Sequence, residues 1–433
     1  MEINKTTLRF AIVGSIAVAL LLPLAIIQNL VDERECYYHT AAQSITDGWG
    51  NAQTLTGPLL IVPQRSAGVW EMEGKPAPRM AILAQRVNAE IHVQHEVRRR
   101  GIFEVPVYVT NVTIEGAFPT HNLANSQDFE GSLDWSKAKI VFAISDTHGI
   151  RNVTLTAANG QRELQPLASN AWLTGGLQAD VDLKAIQGQG DDATFGLSLS
   201  LRGSTSLSAV LPAARSELSM TSSWPHPSFR GRYLPDTLST SDTGFKATWA
   251  NHEFSQAFPK TWAVTATPQV LENKAVAVDL YEPVSAYRSV ERGVKYGALF
   301  VAITFVTLLC FELAANLRFH FAQYAAAGFA MLIFFLALLS LAEHLAFAAA
   351  YGIASVVMVA LTGWYVSRIT RTRRLAAVFS AVLLSVYSVM FLLLRMEAYA
   401  LLAGTLVVLA GLAALMWTTQ GLTQAKPDGD GTA

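Results

Sequence analysis

The feature that most constrains this 433-residue chain is a run of 43 residues, Tyr324 to Val366, interrupted strongly only by Glu343 and His344. As one helix it would measure ~65 Å at 1.5 Å per residue, about twice the ~30 Å hydrocarbon thickness of a bilayer. It therefore reads as two membrane helices, with Glu343-His344 as the natural turn between them. No Gly or Pro marks that turn.

Comparable runs flank it. Gly297–Ala315 comes before, ended by Asn316-Leu317-Arg318; Leu375–Leu394 and Ala398–Trp417 come after, separated by Arg395-Met396-Glu397. A further run, Phe10–Ile27, follows Lys5 and Arg9. A cleaved signal peptide has a similar start. This run, however, leads into Gln28-Asn29-Leu30-Val31-Asp32 with no small-residue cleavage site, so it reads as a retained anchor. Pro23 kinks it without preventing a crossing. Six crossings result, one before and five after a long intervening segment.

Positive-inside counting sets the direction. With the N-terminus in the cytoplasm, the short inner segments carry Lys5, Arg9, Arg318, Arg368, Arg371, Arg373, Arg374 and Lys426, and the short outer loops only Arg395. Arg288, Arg292 and Lys295 oppose this on the outer flank of the second span, but long domains translocate largely regardless of charge. Both termini are expected in the cytoplasm and the segment 32–295 outside it.

Composition agrees. The chain is 51% hydrophobic and 15% charged, against about 25% charged in soluble domains. A net charge of −1 gives no electrostatic reason to expect nucleic acid as a partner. Its two cysteines, Cys36 and Cys310, are expected to lie ~20 Å apart in depth, too far for a disulfide.

Between Asp32 and Lys295 the hydrophobic period is two. Ala89–Val93, Val105–Ile114, Lys139–Ile144, Thr194–Leu201, Ser216–Thr221, Phe245–Trp249 and Ala275–Leu280 alternate apolar with polar residues. Asn159-Gly160 between two such runs predicts a hairpin. The fold class is thus membrane α + β: six transmembrane helices, one plus five, with a large antiparallel β-sandwich-like periplasmic domain inserted after the first. The expected divisions are an anchor at 1–31, the β-rich domain at 32–295, a five-helix bundle at 296–418 and a disordered cytoplasmic tail at 419–433. Whether the outer domain is one unit or two stays open.

Chemistry is scarce. His92 and His95 fall on opposite faces of a strand, with no Cys or carboxylate at metal-ligand spacing beside them, so no metal site is expected. No G-x-S-x-G elbow, H-E-x-x-H pair or P-loop occurs, and neither catalysis nor a cofactor is expected. In Ser222-Ser223-Trp224-Pro225-His226-Pro227-Ser228-Phe229, two prolines make a rigid extended segment with Trp224 and Phe229 as aromatic anchors. It is either a structural corner or, with His226, a docking ridge for another envelope component. Glu312, one turn from the inner end of its span, either serves a function inside the bundle or reaches the headgroups. Glu343 and His344 read as interfacial groups of the outer turn. Beyond these, the last four spans offer few polar residues besides Ser340, Ser355, Thr362, Ser380 and Ser385, which argues against a transporter.

Over nearly its whole length the sequence resembles the CreD family of bacterial inner-membrane proteins. The resemblance lies in Thr56–Pro63, Arg100–Tyr108 and Ser216–Phe229 of the outer domain. In the membrane part it lies in Lys295-Tyr296-Gly297, Phe311-Glu312, Gln323-Tyr324, Leu339–His344, Glu397 and Tyr399–Leu402. Phe321 departs from a usual proline, His148 from a usual arginine, and the tail after Trp417 lacks the family's basic stretch. The resemblance implies an inner membrane with the outer domain in the periplasm, and a non-enzymatic role in envelope integrity, stress response and colicin tolerance. Its partners would be the lipid bilayer and other envelope proteins or lipids; it implies no oligomeric state. The rival expectation is a transporter or lipid-handling protein that uses Glu312 and the Glu343-His344 turn.

Overall fold

The computed structural model describes residues 5–64, 79–119, 133–158, 160–167, 173, 175–183, 192–252, 258–264, 271, 274–280, 286–314, 319–395 and 400–419. The chain divides into two compact units, one of residues 1–39 with 284–433 and one of residues 40–283.

The helical elements are α1 Lys5–Ala19, α2 Leu21–Trp49, α3 Ala286–Lys295, α4 Gly297–Ala314, α5 Phe321–Ala342, α6 Phe347–Thr370, α7 Arg373–Arg395 and α8 Ala400–Thr419. Pro23 explains the break between α1 and α2: it lacks the N–H that would bond the Ala19 carbonyl, and its ring crowds that carbonyl. The helix outlasts the anchor expected at 1–31. Polarity ends the apolar stretch near Asp32, but the helix continues to Trp49, supported by four-apart hydrogen bonds Gln28–Asp32, Tyr37–Glu33 and Gln43–Asp47. Gly50, at φ +140°, ends it.

A second difference is α3. The basic residues Arg288, Arg292 and Lys295 lie on a helix of their own, which buries Val290 and Val294 and meets α4 at a bend of 51°. The turn after α5 falls where the polar pair predicts: Glu343 caps the helix, and the N–H groups of His344 and Leu345 return to the Leu341 carbonyl. At the start of α5, His320 and Gln323 form a reciprocal capping box, and Phe321 takes the first helical position, one that also suits proline. An aromatic core of Phe300, Phe334, Phe335, Tyr351 and Tyr387 joins α4 to α7. Four described helices are long and apolar enough to cross a membrane, or five if α3 and α4 count as one bent span. Arg318, Glu397 and residues 420–433 of the expected tail lie outside the described residues.

The other unit holds strands β1 Gln53–Pro63, β2 Arg79–Ile82, β3 Ala84–Arg100, β4 Phe103–Phe118, β5 Ala138–Ile144, β6 Ile150–Ala157, β7 Gly160–Arg162, β8 Gln165–Leu167, β9 Gly176–Val181, β10 Ala193–Ser204, β11 Ser206–Val210, β12 Ala213–Ser222, β13 Ser228–Gly231, β14 Thr237–Ser241, β15 Gly244–His252, β16 Thr261–Ala263 and β17 Val276–Asp279. One sheet has the order β13-β17-β11-β1-β5-β9-β8, with β2 also on β1 and β16 on β2; the other runs β14-β15-β12-β3-β4-β10-β6-β7. Every predicted strand is present. The predicted hairpin is β6–β7, with Leu155 opposite Arg162, although Asn159 is outside the described residues. The sandwich is not wholly antiparallel: β1 pairs with β11, and β3 with β12, in parallel. Period-two patterning shows which face of a strand is buried, not which distant strand lies beside it.

The main core lies between the sheets, with Leu55, Leu60 and Val62 from one and Val87, Ala89, Ile91, Val112, Ile114, Leu197 and Met220 from the other. A second core covers the far side of β1 and β5 through Leu59, Ile61, Val141, Ala143, Phe258 and Leu271. Burial on both faces is why β1 is a continuous apolar run and why β5, expected to alternate over Lys139–Ile144, is instead apolar at every position after Lys139, while β3 alternates. Gly57 at φ +134° marks the irregular register of β1 with β5, and a Cβ there would lie 2.9 Å from the Val141 carbonyl oxygen.

Candidate functional site

The most unusual side chain in the helical unit is Glu312, a carboxylate group on α4 that is only 8% exposed. Tyr324, in the first turn of α5, donates its hydroxyl to Glu312 Oε2. Its ring is held by Phe305 and Phe319, with centroids 5.8 and 6.1 Å away, and the capping box around His320 and Gln323 sets where that first turn begins. The carboxyl therefore faces the helix bundle. Beside it Leu308, Phe319, Gln323, Tyr324 and Thr362 line a cavity of about 20 Å³, room for roughly one water. Thr362 is spent locally on the Met358 carbonyl and the Tyr351 hydroxyl on the Tyr387 carbonyl, while Thr304 Oγ1 is buried without a hydrogen-bond partner.

Glu343 and His344 part company. His344 is exposed. Glu343 is largely covered and lies 3.8 Å from Arg34 Nε of α2, with the Tyr287 hydroxyl of α3 within hydrogen-bonding reach. Tyr38 packs against Tyr287 at 6.1 Å. One carboxylate thus ties together α2, α3 and the end of α5. Sequence reasoning missed Arg34, Tyr38 and Tyr287, because nothing local links the first two, 309 and 305 positions away, or the third, 56 away, to Glu343.

In the β unit, the Trp224-Pro225-His226-Pro227 segment joins β12 to β13. Ser222 Oγ accepts from the Trp224 N–H, and Trp224 Nε1 donates to the His226 carbonyl at 2.9 Å. The indole is 8% exposed and meets the His95 ring edge-on at 5.4 Å. Phe229 packs on Phe245 and Trp249 at 5.5 and 5.9 Å. Both aromatic anchors turn inward, the geometry of a structural corner; the His226 side chain is exposed. His92 and His95 bind the hydroxyls of Thr221 and Ser223. Among the described residues no group of three His, Cys, Asp or Glu is placed to hold a metal ion.

Two further constellations had no signal in the sequence. Trp49 lies between the guanidinium groups of Arg98 and Arg202, at 4.1 and 4.3 Å, and donates to the Tyr108 carbonyl. Burial pushes the Tyr108 phenol well above its ordinary range. Asp146 accepts from the Asn51 backbone and side chain and from the His148 N–H. Partial burial raises its pKa, but these donors outweigh it, so the carboxyl sits below the usual range.

The family described as inner membrane protein CreD matches residues 5–423. The chain is 28% identical over 410 residues to the inner membrane protein CreD of Escherichia coli K12, covering 93% of this chain and 90% of that one. Among solved structures, an M1 zinc metallopeptidase from Deinococcus radiodurans aligns with 80% of this chain and 96% of its own length at 10% identity. Its TM-score of 0.21 carries no argument about fold or activity. With a family match spanning nearly every residue, and with apolar helices beside a two-sheet β unit, the chain belongs to the CreD family of inner membrane proteins.

Proposed function

We propose that this protein is a non-enzymatic, six-span inner-membrane protein that supports cell-envelope integrity and stress tolerance through a periplasmic β-domain. Both termini lie in the cytoplasm, and the β-domain of residues 32–295 is inserted between the first span and the five-helix bundle of 296–418. The observation that carries this reading is the contrast between the two units. Among the helices, Tyr324, Tyr351 and Thr362 direct their hydroxyls to acceptors within the unit, beside a cavity of about 20 Å³, although Thr304 Oγ1 is buried without a hydrogen-bond partner. The eight-stranded sheet instead turns Arg86, Asn88, Glu90 and His92 of β3 and Asn111, Thr113 and Glu115 of β4 outward. Envelope proteins or lipids are the partners in this reading, and the surface around His226 is one place for them to dock.

Complementation of a deletion strain tests it, scored by permeability to an outer probe and by detergent sensitivity. Full rescue by Glu312→Gln at normal protein level is expected. A deletion that leaves permeability unchanged would sink the envelope role. The second reading, a transporter or lipid-handling protein, is favoured by one observation: a carboxyl group buried among apolar helices. It requires Glu312→Gln to abolish rescue without lowering protein level. Labelling of single cysteines at Thr221 and Arg371 in intact cells tests the orientation, with only the first expected to react.

A further inference from the structure

The outer face of the eight-stranded sheet carries a groove of about 610 Å³, within the size range of ligand pockets. Its centre line is one register row across five strands: Asn88 of β3 opposes Glu115 of β4, Glu115 opposes Gly196 of β10, Gly196 opposes Thr156 of β6, and Thr156 opposes Gln161 of β7. At the usual spacing between strands the row is about 19 Å long. Arg86 and Thr194 extend the lining on the next row.

Gly196 leaves the middle of the row bare. Glycine inside a strand costs about 0.5–1 kcal/mol relative to alanine, and it often marks close approach by another backbone or a ligand. At neighbouring Gly116 the fold supplies the reason, since a Cβ would lie 2.6 Å from the Phe195 ring. At Gly196 it does not. A Cβ there would meet no backbone and no ring, only the Thr156 hydroxyl at 3.0 Å, which donates to the Gly196 carbonyl. The residue keeps open a trough that packing does not require.

The lining selects the ligand. Among the described residues, the side chains of Arg86, Asn88, Glu115, Gln161 and Thr194 have no hydrogen-bond or ion-pair partner. They offer two amides, a hydroxyl, one cation and one anion. Glu115 beside the single Arg86 disfavours phosphate or other anions. No large exposed apolar side chain lines the groove, which disfavours acyl chains. The backbone from β3 to β6 is used up in the ladder, and the one edge at the groove is the three-residue β7, too short to template an extended peptide. Planar amide and charged groups in a line instead suit the neighbouring hydroxyls of a sugar chain, each pairing as donor and acceptor at once.

We propose that this groove binds a neutral oligosaccharide a few sugar units long. The proposal rests on the outward placement given above only for where such a glycan is met. Binding in open nanodiscs reads the groove whatever the orientation, so failure here leaves that reading standing.

The test is a ligand-observed NMR titration of the full-length chain in lipid nanodiscs, because alkyl-glycoside detergents would present sugars of their own. Chitotetraose and maltotetraose are the probes, with tetraalanine and inorganic phosphate as competitors. Saturable binding of at least one sugar is expected, with a Kd at or below about 1 mM. Gly196→Tyr should weaken it at least ~10-fold by filling the trough, and the Asn88→Ala/Gln161→Ala pair at least ~5-fold. If Gly196→Tyr fails to fold, the double variant decides. Absence of saturable binding to both sugars, binding unchanged in the folded variants, or equal displacement by tetraalanine or phosphate would each overturn the proposal.

Discussion

Tyr324→Phe isolates one bond that joins α4 to α5. The substitution keeps the ring between Phe305 and Phe319 and removes only the hydroxyl that donates to Glu312. In water-soluble cores, leaving a buried acceptor without its donor costs ~1–3 kcal/mol. Hydrogen bonds between membrane helices average only ~0.6 kcal/mol in double-mutant cycles and reach ~1.7. Tyr324 is 1% exposed and Glu312 8%, so water does not readily replace the hydroxyl, and the expected loss lies in the upper half of the membrane range, ~1–1.7 kcal/mol. Glu312→Gln retains a carbonyl acceptor for the same hydroxyl and should cost less. The assay is reversible unfolding of the full-length protein in mixed micelles, with Tyr324→Phe, Glu312→Leu and the double variant forming a cycle. A coupling energy of ~1 kcal/mol or more supports the bond as a clamp between helices. Coupling indistinguishable from zero, with Tyr324→Phe as stable as the native chain, would refute the reasoning and free Glu312 for a role in transport.

Two further outcomes concern the β unit. Asp146 has a folded pKa below its unfolded value of about 3.9, so it contributes stability that is fully present above that value and lost as pH falls through the lower folded one. Acid unfolding profiles of native protein and Asp146→Asn should therefore differ in steepness below about pH 4, and superimposable profiles would count against the reading. Trp224→Ala should cost ~3–5 kcal/mol as a buried aromatic truncation, while His226→Ala should stay within about 0.5 kcal/mol because its side chain is exposed. Thermal unfolding that ranks the two the other way round would show that the corner is not held as described.

What was legible in the sequence follows from the range of each signal. Apolar length and a polar pair located the α5–α6 turn at Glu343, and alternation located β3, β4, β10 and β12, because both patterns record which side of a local element meets water. The same signals say nothing of where α2 ends. Polarity at Asp32 reports the end of an apolar environment, not of a helix, and the residues up to Trp49 remain helical through their own side-chain bonds. The parallel neighbours β1–β11 and β3–β12, and the meeting of Arg34 and Tyr287 at Glu343, depend on chain segments that share no pattern. The groove was hidden for a related reason. Asn88, Glu115, Gly196, Thr156 and Gln161 are unremarkable in their own strands, and only the register sets them in one row.

The polar chemistry of the chain therefore falls into two kinds with different consequences. In the helical unit, Tyr324, Thr362 and Tyr351 each direct a hydroxyl to an acceptor inside the unit. A transported solute would have to break such bonds, and a larger cavity in the unit, about 160 Å³ lined by residues such as Phe300, Ile303, Val389 and Met390, offers it apolar side chains and Ser385. In the β unit the amides and charges of the groove are already solvated and unspent, so a ligand displaces only water and needs no rearrangement of the sheet. Recognition is cheaper where donors and acceptors are fixed by a strand ladder and not yet committed to one another. On that ground the search for what this protein engages belongs first on the face of its eight-stranded sheet.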